Sequence, residues 1–115
     1  MYALRNKVQL IGNLGNAPEI KTLETGKKLA TFSIATSESY RNAKGEKVTE
    51  TQWHRVVAWG KLAEIAEKYF DKGKEVAIEG KLVSRSYQDK EGQKKYITEV
   101  QAGEMLMLGA KGKDE

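Results

Sequence analysis

The eleven residues Thr51 to Lys61, read as Thr-Gln-Trp-His-Arg-Val-Val-Ala-Trp-Gly-Lys, hold the side chains whose types and spacing could do chemistry. Alternation with period two puts Trp53, Arg55, Val57 and Trp59 on one face of a strand, so two indole rings flank a guanidinium. Rings interleaved with cations suit an unpaired nucleic-acid strand, because bases stack on the rings while phosphates pair with the cations. The same alternation is how a sheet packs Trp and Val on its own core, and this strand alone leaves both readings open.

Ring candidates recur elsewhere. Tyr40 lies in a polar stretch, and Tyr87 precedes a charged turn. Cations accompany them: Arg41 beside Tyr40, Arg55 between the tryptophans, Lys61 after Trp59, and Arg85 two residues before Tyr87. The reading is therefore base stacking by Tyr40, Trp53, Trp59 and Tyr87, with phosphate contacts from Arg41, Arg55, Lys61 and Arg85. Tyr69 and Phe70 are expected in the core, as is Phe32, while Tyr2 and Tyr96 carry no assignment.

Catalysis finds little to stand on. The single histidine, His54, falls on the strand parity opposite Trp53 and Trp59, which favours packing or a subunit contact over ligation. Carboxylates sit beside lysines as solvated charges do, and no nucleophile motif, phosphate-cradling glycine loop or metal-ligand spacing occurs. No enzyme activity, metal or cofactor is expected.

At 115 residues the chain has room for one domain with one modest core, and 39% hydrophobic with 31% charged residues fits a soluble globular protein. Twenty Lys and Arg against sixteen Asp and Glu leave a charge of +4, which favours a polyanionic partner without demanding one. With no cysteine, disulfides and thiolate metal ligands are excluded. Neither a signal-peptide pattern nor an apolar run of about 18 residues occurs, so a cytoplasmic protein is expected, neither secreted nor membrane-spanning.

Positioning that ring-bearing strand requires a sheet. A first strand is expected over about Lys7 to Asn13, with Val8, Leu10 and Gly12 on one parity, a bend at Gly15, and Pro18 closing it. A short run Glu19 to Leu23 enters the turn Glu24 to Lys27, and Leu29 to Thr36 reads as a strand with Phe32 and Ile34 facing the core. Residues Ser37 to Glu50 are polar and read as an exposed hairpin or a long flexible loop. After Gly60 the period changes, and Leu62, Ile65, Ala66, Tyr69 and Phe70 predict a helix of about three turns capped by Lys72-Gly73. Val76, Ile78, Gly80 and Leu82 alternate inward, the turn Asp89 to Gln93 follows, and Tyr96, Thr98, Val100 and Ala102 share a parity on the return. Glu104 to Leu108 is expected as a last short strand. An all-β order with one helix between the third and fourth long strands suits the five-stranded Greek-key barrel of the OB fold.

Five segments taken in order carry a resemblance: Asn6 to Glu19, Ala35 to Tyr40, Trp53 to Val57, Gly60 to Glu64 and Ile78 to Leu82. Together they resemble the bacterial single-stranded DNA-binding proteins. That likeness implies an OB-fold domain over 1–109, a homotetramer, and a nucleoid-associated protein that coats single-stranded DNA in replication, recombination and repair. It places the stacking aromatics on Tyr40, Trp53, Trp59 and Tyr87, and His54 at the subunit contact. Family members continue into a linker and an acidic recruiting tail with an apolar end. Here 110–115 form a short polar remnant ending in Asp114-Glu115, so recruitment of replication and repair enzymes by that route is not expected. The competing readings are a primosome or mobile-element accessory protein acting through protein contacts, and an RNA-binding OB domain of cold-shock type.

Overall fold

Three turns with glycine in the fourth place set the frame of the fold. In 23–27, 42–46 and 89–93 the first and last residues pair, and the glycine N–H donates to the first carbonyl. Gly26, Gly45 and Gly92 adopt φ of 90°, 83° and 83°, a region that a residue with a Cβ rarely enters. Each turn therefore joins two antiparallel strands in a defined register.

The structure is a computed structural model and describes residues 4–108. Its strands are β1 (Val8–Leu14), β2 (Glu19–Thr22), β3 (Lys28–Arg41), β4 (Lys47–Trp59), β5 (Glu75–Gln88) and β6 (Lys94–Leu108), with the helix α1 (Lys61–Tyr69) between β4 and β5. Neighbours run β1-β5-β6-β4-β3, and β3 pairs back onto β1 through Asn13 with Ala35 and Leu14 with Ile34. That contact closes a five-stranded barrel, the OB fold. Beyond the bend at Gly15, β2 continues along the same edge of β3. One parallel pair, β4 with β6, joins the two halves.

Phe32, Ile34, Val56, Val76 and Ile78 fill the barrel, each contributing about 1.5–3 kcal/mol by leaving water. Phe70 closes one end, its ring edge-on to Phe32 at 5.4 Å. Past the barrel, β3 with β4 and β5 with β6 run on as two-stranded arms.

Several expectations are corrected. Of the two alternatives for Ser37 to Glu50, the structure has the exposed hairpin and not the flexible loop: all but the turn 42–46 belongs to the β3–β4 arm, held by pairs out to Arg41 with Lys47. Glu104 to Leu108 is not a separate strand but the end of β6, continuous past an irregularity in the register with β5 at Glu79 and Gly80. Tyr69, expected in the core, is 54% exposed, and Ile65 is exposed too. The helix packs instead through Ala63 and Ala66, whose small side chains let it lie close on the barrel end, with Leu62 and Phe70 beside them. The helix ends at Tyr69, capped by the Phe70 N–H donating to the Ala66 carbonyl at 3.0 Å. Gly73 does not cap the helix but sits in the turn after it, donating to the Leu14 carbonyl. Leu82 is exposed because it lies where β5 leaves the barrel. Tyr2, which carries no assignment, and the expected remnant 110–115 lie outside the described residues.

Candidate nucleic-acid interface

Sheet register decides which side of β4 meets solvent. Trp53, Arg55, Val57 and Trp59 stand opposite Ala35, Ser33, Thr31 and Leu29 of β3, while His54, Val56 and Ala58 point to the barrel side. Small and polar neighbours on β3, Ala35 and Ser33, leave the face open at Trp53 and Arg55, where Trp53 is 62% exposed, while Val57 farther along the same face is buried. One side of its indole rests on Gly15, where an added Cβ would overlap the ring. Gly15 is itself held, because its N–H donates to the Ser33 carbonyl at 2.9 Å and the Ser33 N–H donates to Asn16 Oδ1 at 3.2 Å. The result is a ring fixed from behind and open in front, the arrangement that stacking on a base needs. Trp59 is half-buried, with Lys27 Nζ 5.3 Å from its ring centre.

Between the indoles, the alternation of β4 sets Arg55 toward a groove of about 400 Å³ whose wall includes Trp59, Arg85, Glu99 and Gln101. Val57 pairs with Gln101 across the parallel strands, so two residues earlier Arg55 lies beside Glu99. Arg55 Nε donates to Glu99 Oε2 at 2.6 Å, and Arg85 donates to Glu99 through Nε at 3.2 Å and Nη2 at 3.1 Å. The Glu99 side chain is only 3% exposed, while both guanidinium groups reach solvent. Burial alone pushes the Glu99 carboxyl up, but hydrogen bonds from Arg85 and Arg55, with their charges, pull harder and hold it below its ordinary 4.5. In return, Glu99 raises Arg85 further above its usual range.

The remaining expected site residues are dispersed. Tyr87 shares the outward parity of Arg85 and stands opposite Lys95 on the β5–β6 arm. Tyr40 is on the other parity of the β3–β4 arm, where its hydroxyl donates to Glu50 at 3.3 Å. Arg41 has the outward parity, but its Nη1 donates to the Gly45 carbonyl at 2.7 Å and so secures its own turn. Lys61 is apart from the groove, opening the helix beside a shallow hollow with Ile65, Lys68 and Tyr69. His54 is half-buried, its Nε2 2.9 Å from the Thr36 hydroxyl. Of the residues expected from the sequence, the structure brings Arg85 and Tyr87 to the face that alternation gave to Trp53, Arg55 and Trp59, and it adds Gly15, Lys27 and Glu99, which the sequence did not single out for this site. Glu99 was discernible only as the residue opposite in parity to Val100, and which strand it faced depended on the β4–β6 register.

Residues 5–108 match the model of the single-strand binding protein family. The chain belongs to that family. Two relatives of this single-strand binding chain, each called "Single-stranded DNA-binding protein 1", come from Chlorobaculum tepidum and Xylella fastidiosa. The first is 50% identical over 92% of this chain and 66% of its own length, and the second 48% identical over 92% and 79%. This family member thus spans just under two thirds of the first relative. A solved structure, "Plasmodium falciparum SSB complex with ssDNA", is 37% identical and superposes with a TM-score of 0.82, over 90% of this chain and 95% of that one.

Proposed function

We propose that this member of the single-strand binding family coats single-stranded DNA with little sequence preference, as a non-enzymatic protein of replication, recombination and repair. One observation carries the reading: on the face of β4 and β5 an indole backed by Gly15, a second indole and two guanidinium groups lie together, open to solvent. Every base has a π-face, so stacking on Trp53, Trp59 and Tyr87 tolerates any sequence, while Arg55 and Arg85 meet the backbone. A duplex offers no such faces, because its bases are already stacked. Tyr40 and Arg41 extend the same path along the β3–β4 arm once their present contacts exchange for base or phosphate, and Lys61, at the start of α1, is a further phosphate contact apart from the groove. The relatives' names and the complex with ssDNA support this reading.

Assembly as a homotetramer belongs to the same proposal. On β1, residues Val8 to Gly12 pair only with β5 among the described residues, and Ile11 and Leu106 are exposed on the outer face of that sheet. An open edge beside an apolar patch suits a symmetric contact with a second copy. His54 is proposed at a subunit contact as well. Localisation in the cytoplasm follows from the DNA partner; no described helix is long and apolar enough to cross a membrane.

Titrating the protein with oligo-dT, with duplex of equal length beside it, tests the function. Strong quenching of tryptophan emission and much tighter binding of the single strand are expected. Equal affinity for both forms would reduce the site to a generic basic patch.

A further inference from the structure

The cluster Arg55–Glu99–Arg85 contains a group that a phosphate site has no obvious need for. A carboxylate beside the phosphate-binding guanidinium groups repels the ligand, and its charge cancels one of the two cations. Yet Glu99 is the one buried charged residue among the described residues, and it receives donors from both arginines, on two different strands.

We propose that Glu99 is a positioning residue of the DNA interface: it holds Arg55 and Arg85 side by side in the groove next to Trp59, as one fork of net charge +1. This role presupposes the single-strand binding proposed above. The hydrogen bonds themselves show how the fork is built. Among the described residues Arg55 uses Nε only, leaving both of its terminal nitrogens for a ligand, and Arg85 uses Nε and Nη2, leaving Nη1. Two guanidinium groups brought this close repel one another and would otherwise swing apart into solvent on long flexible side chains. A shared buried carboxylate removes that freedom before DNA arrives, so less ordering remains to be done on binding. Its own place is secured by the sheet, because neighbouring Val100 is buried in the barrel core. The fork then neutralises about one phosphate rather than two, which sets the electrostatic footprint of this part of the groove.

Glu99→Gln separates positioning from plain charge, because the two ideas predict opposite signs. Glutamine offers one acceptor oxygen and turns an NH₂ donor toward the second guanidinium, so the fork opens although the face gains a positive charge. Affinity for oligo-dT, measured across a salt series with the full chain, should therefore fall by about tenfold, the scale of one lost charge-assisted hydrogen bond. Glu99→Asp keeps the charge but is one methylene shorter. It should bind more tightly than Glu99→Gln and less tightly than the parent, with the parent's salt slope, and this variant alone decides the matter if Glu99→Gln does not fold. Tighter binding by Glu99→Gln, with a log–log salt slope steeper by about 0.7, would show that Glu99 is merely an opposing charge. Parental affinity in Glu99→Asp would likewise overturn the proposal. If the parent itself fails to bind oligo-dT, the functional reading falls first and this one with it.

Discussion

At the proposed stacking site, Trp53 shows how little would lie in the ring itself. Its indole lies where it does because Gly15 has no side chain to lift it and because the Gly15 N–H is bound to the Ser33 carbonyl. Trp53→Ala should weaken oligo-dT binding by about 1–3 kcal/mol, the range typical of OB-fold single-strand binders, and abolish part of the fluorescence quenching. Gly15→Val should weaken binding too, with Trp53 still present, since its side chain must displace the indole. Parental affinity in that variant, with an unchanged melting temperature, would mean that the backing is irrelevant. Glu99 brings a pH dependence whose sign follows from its depressed pKa. A carboxyl held below 4.5 in the folded state adds stability above that value, and this contribution is lost as pH falls through the lower folded pKa. Urea denaturation over a pH series should show a steeper acid decline for the parent than for Glu99→Gln.

At the scale of elements, the helix and the arms differ in what holds them. Helix α1 lies on the barrel through Ala63 and Ala66 and is tied to β3 by Lys28 donating to Glu67 at 2.8 Å. Enlarging the packed seam by Ala66→Leu should destabilise the fold by about 1–3 kcal/mol, because the helix cannot move off without uncovering Phe70. By contrast Tyr69→Ser, on the exposed stripe, should change stability by no more than about 0.5 kcal/mol. Thermal denaturation of the two variants checks both. The arms have no such packing, and their order comes from ladder pairs and from turns whose Asn42 and Asp89 side chains accept two backbone N–H groups each.

For the whole molecule, the proposed binding and the proposed assembly both rest on faces rather than on a cavity. Affinity should fall with salt at about 0.7 in the log–log slope for each phosphate neutralised, which fluorescence titration measures directly. Sedimentation of the parent at micromolar concentration should show a tetramer. Charging the exposed apolar patch by Ile11→Lys should produce smaller species, because a lysine placed there cannot be desolvated cheaply. A parent that sediments as a monomer would remove the assembly proposal and leave the DNA interface standing.

Local pattern was enough to determine much of this protein. Alternation put Trp53, Arg55 and Trp59 on one face, and the glycine-bearing turns at Gly26 and Gly92 were marked, because both depend only on near neighbours in the chain, whereas the turn at Gly45 stayed open between a hairpin and a loop. The element order was sufficient for the OB barrel, and the composition for one modest core. Tertiary structure decided what near neighbours cannot: that the Trp53 face meets solvent, that Gly15 backs it, and that the helix turns its alanines inward while Tyr69 faces out. Above all it decided that Glu99 meets Arg55 and Arg85. That meeting spans three strands and 44 residues, and depends on a parallel register between β4 and β6, which is set only when the barrel closes.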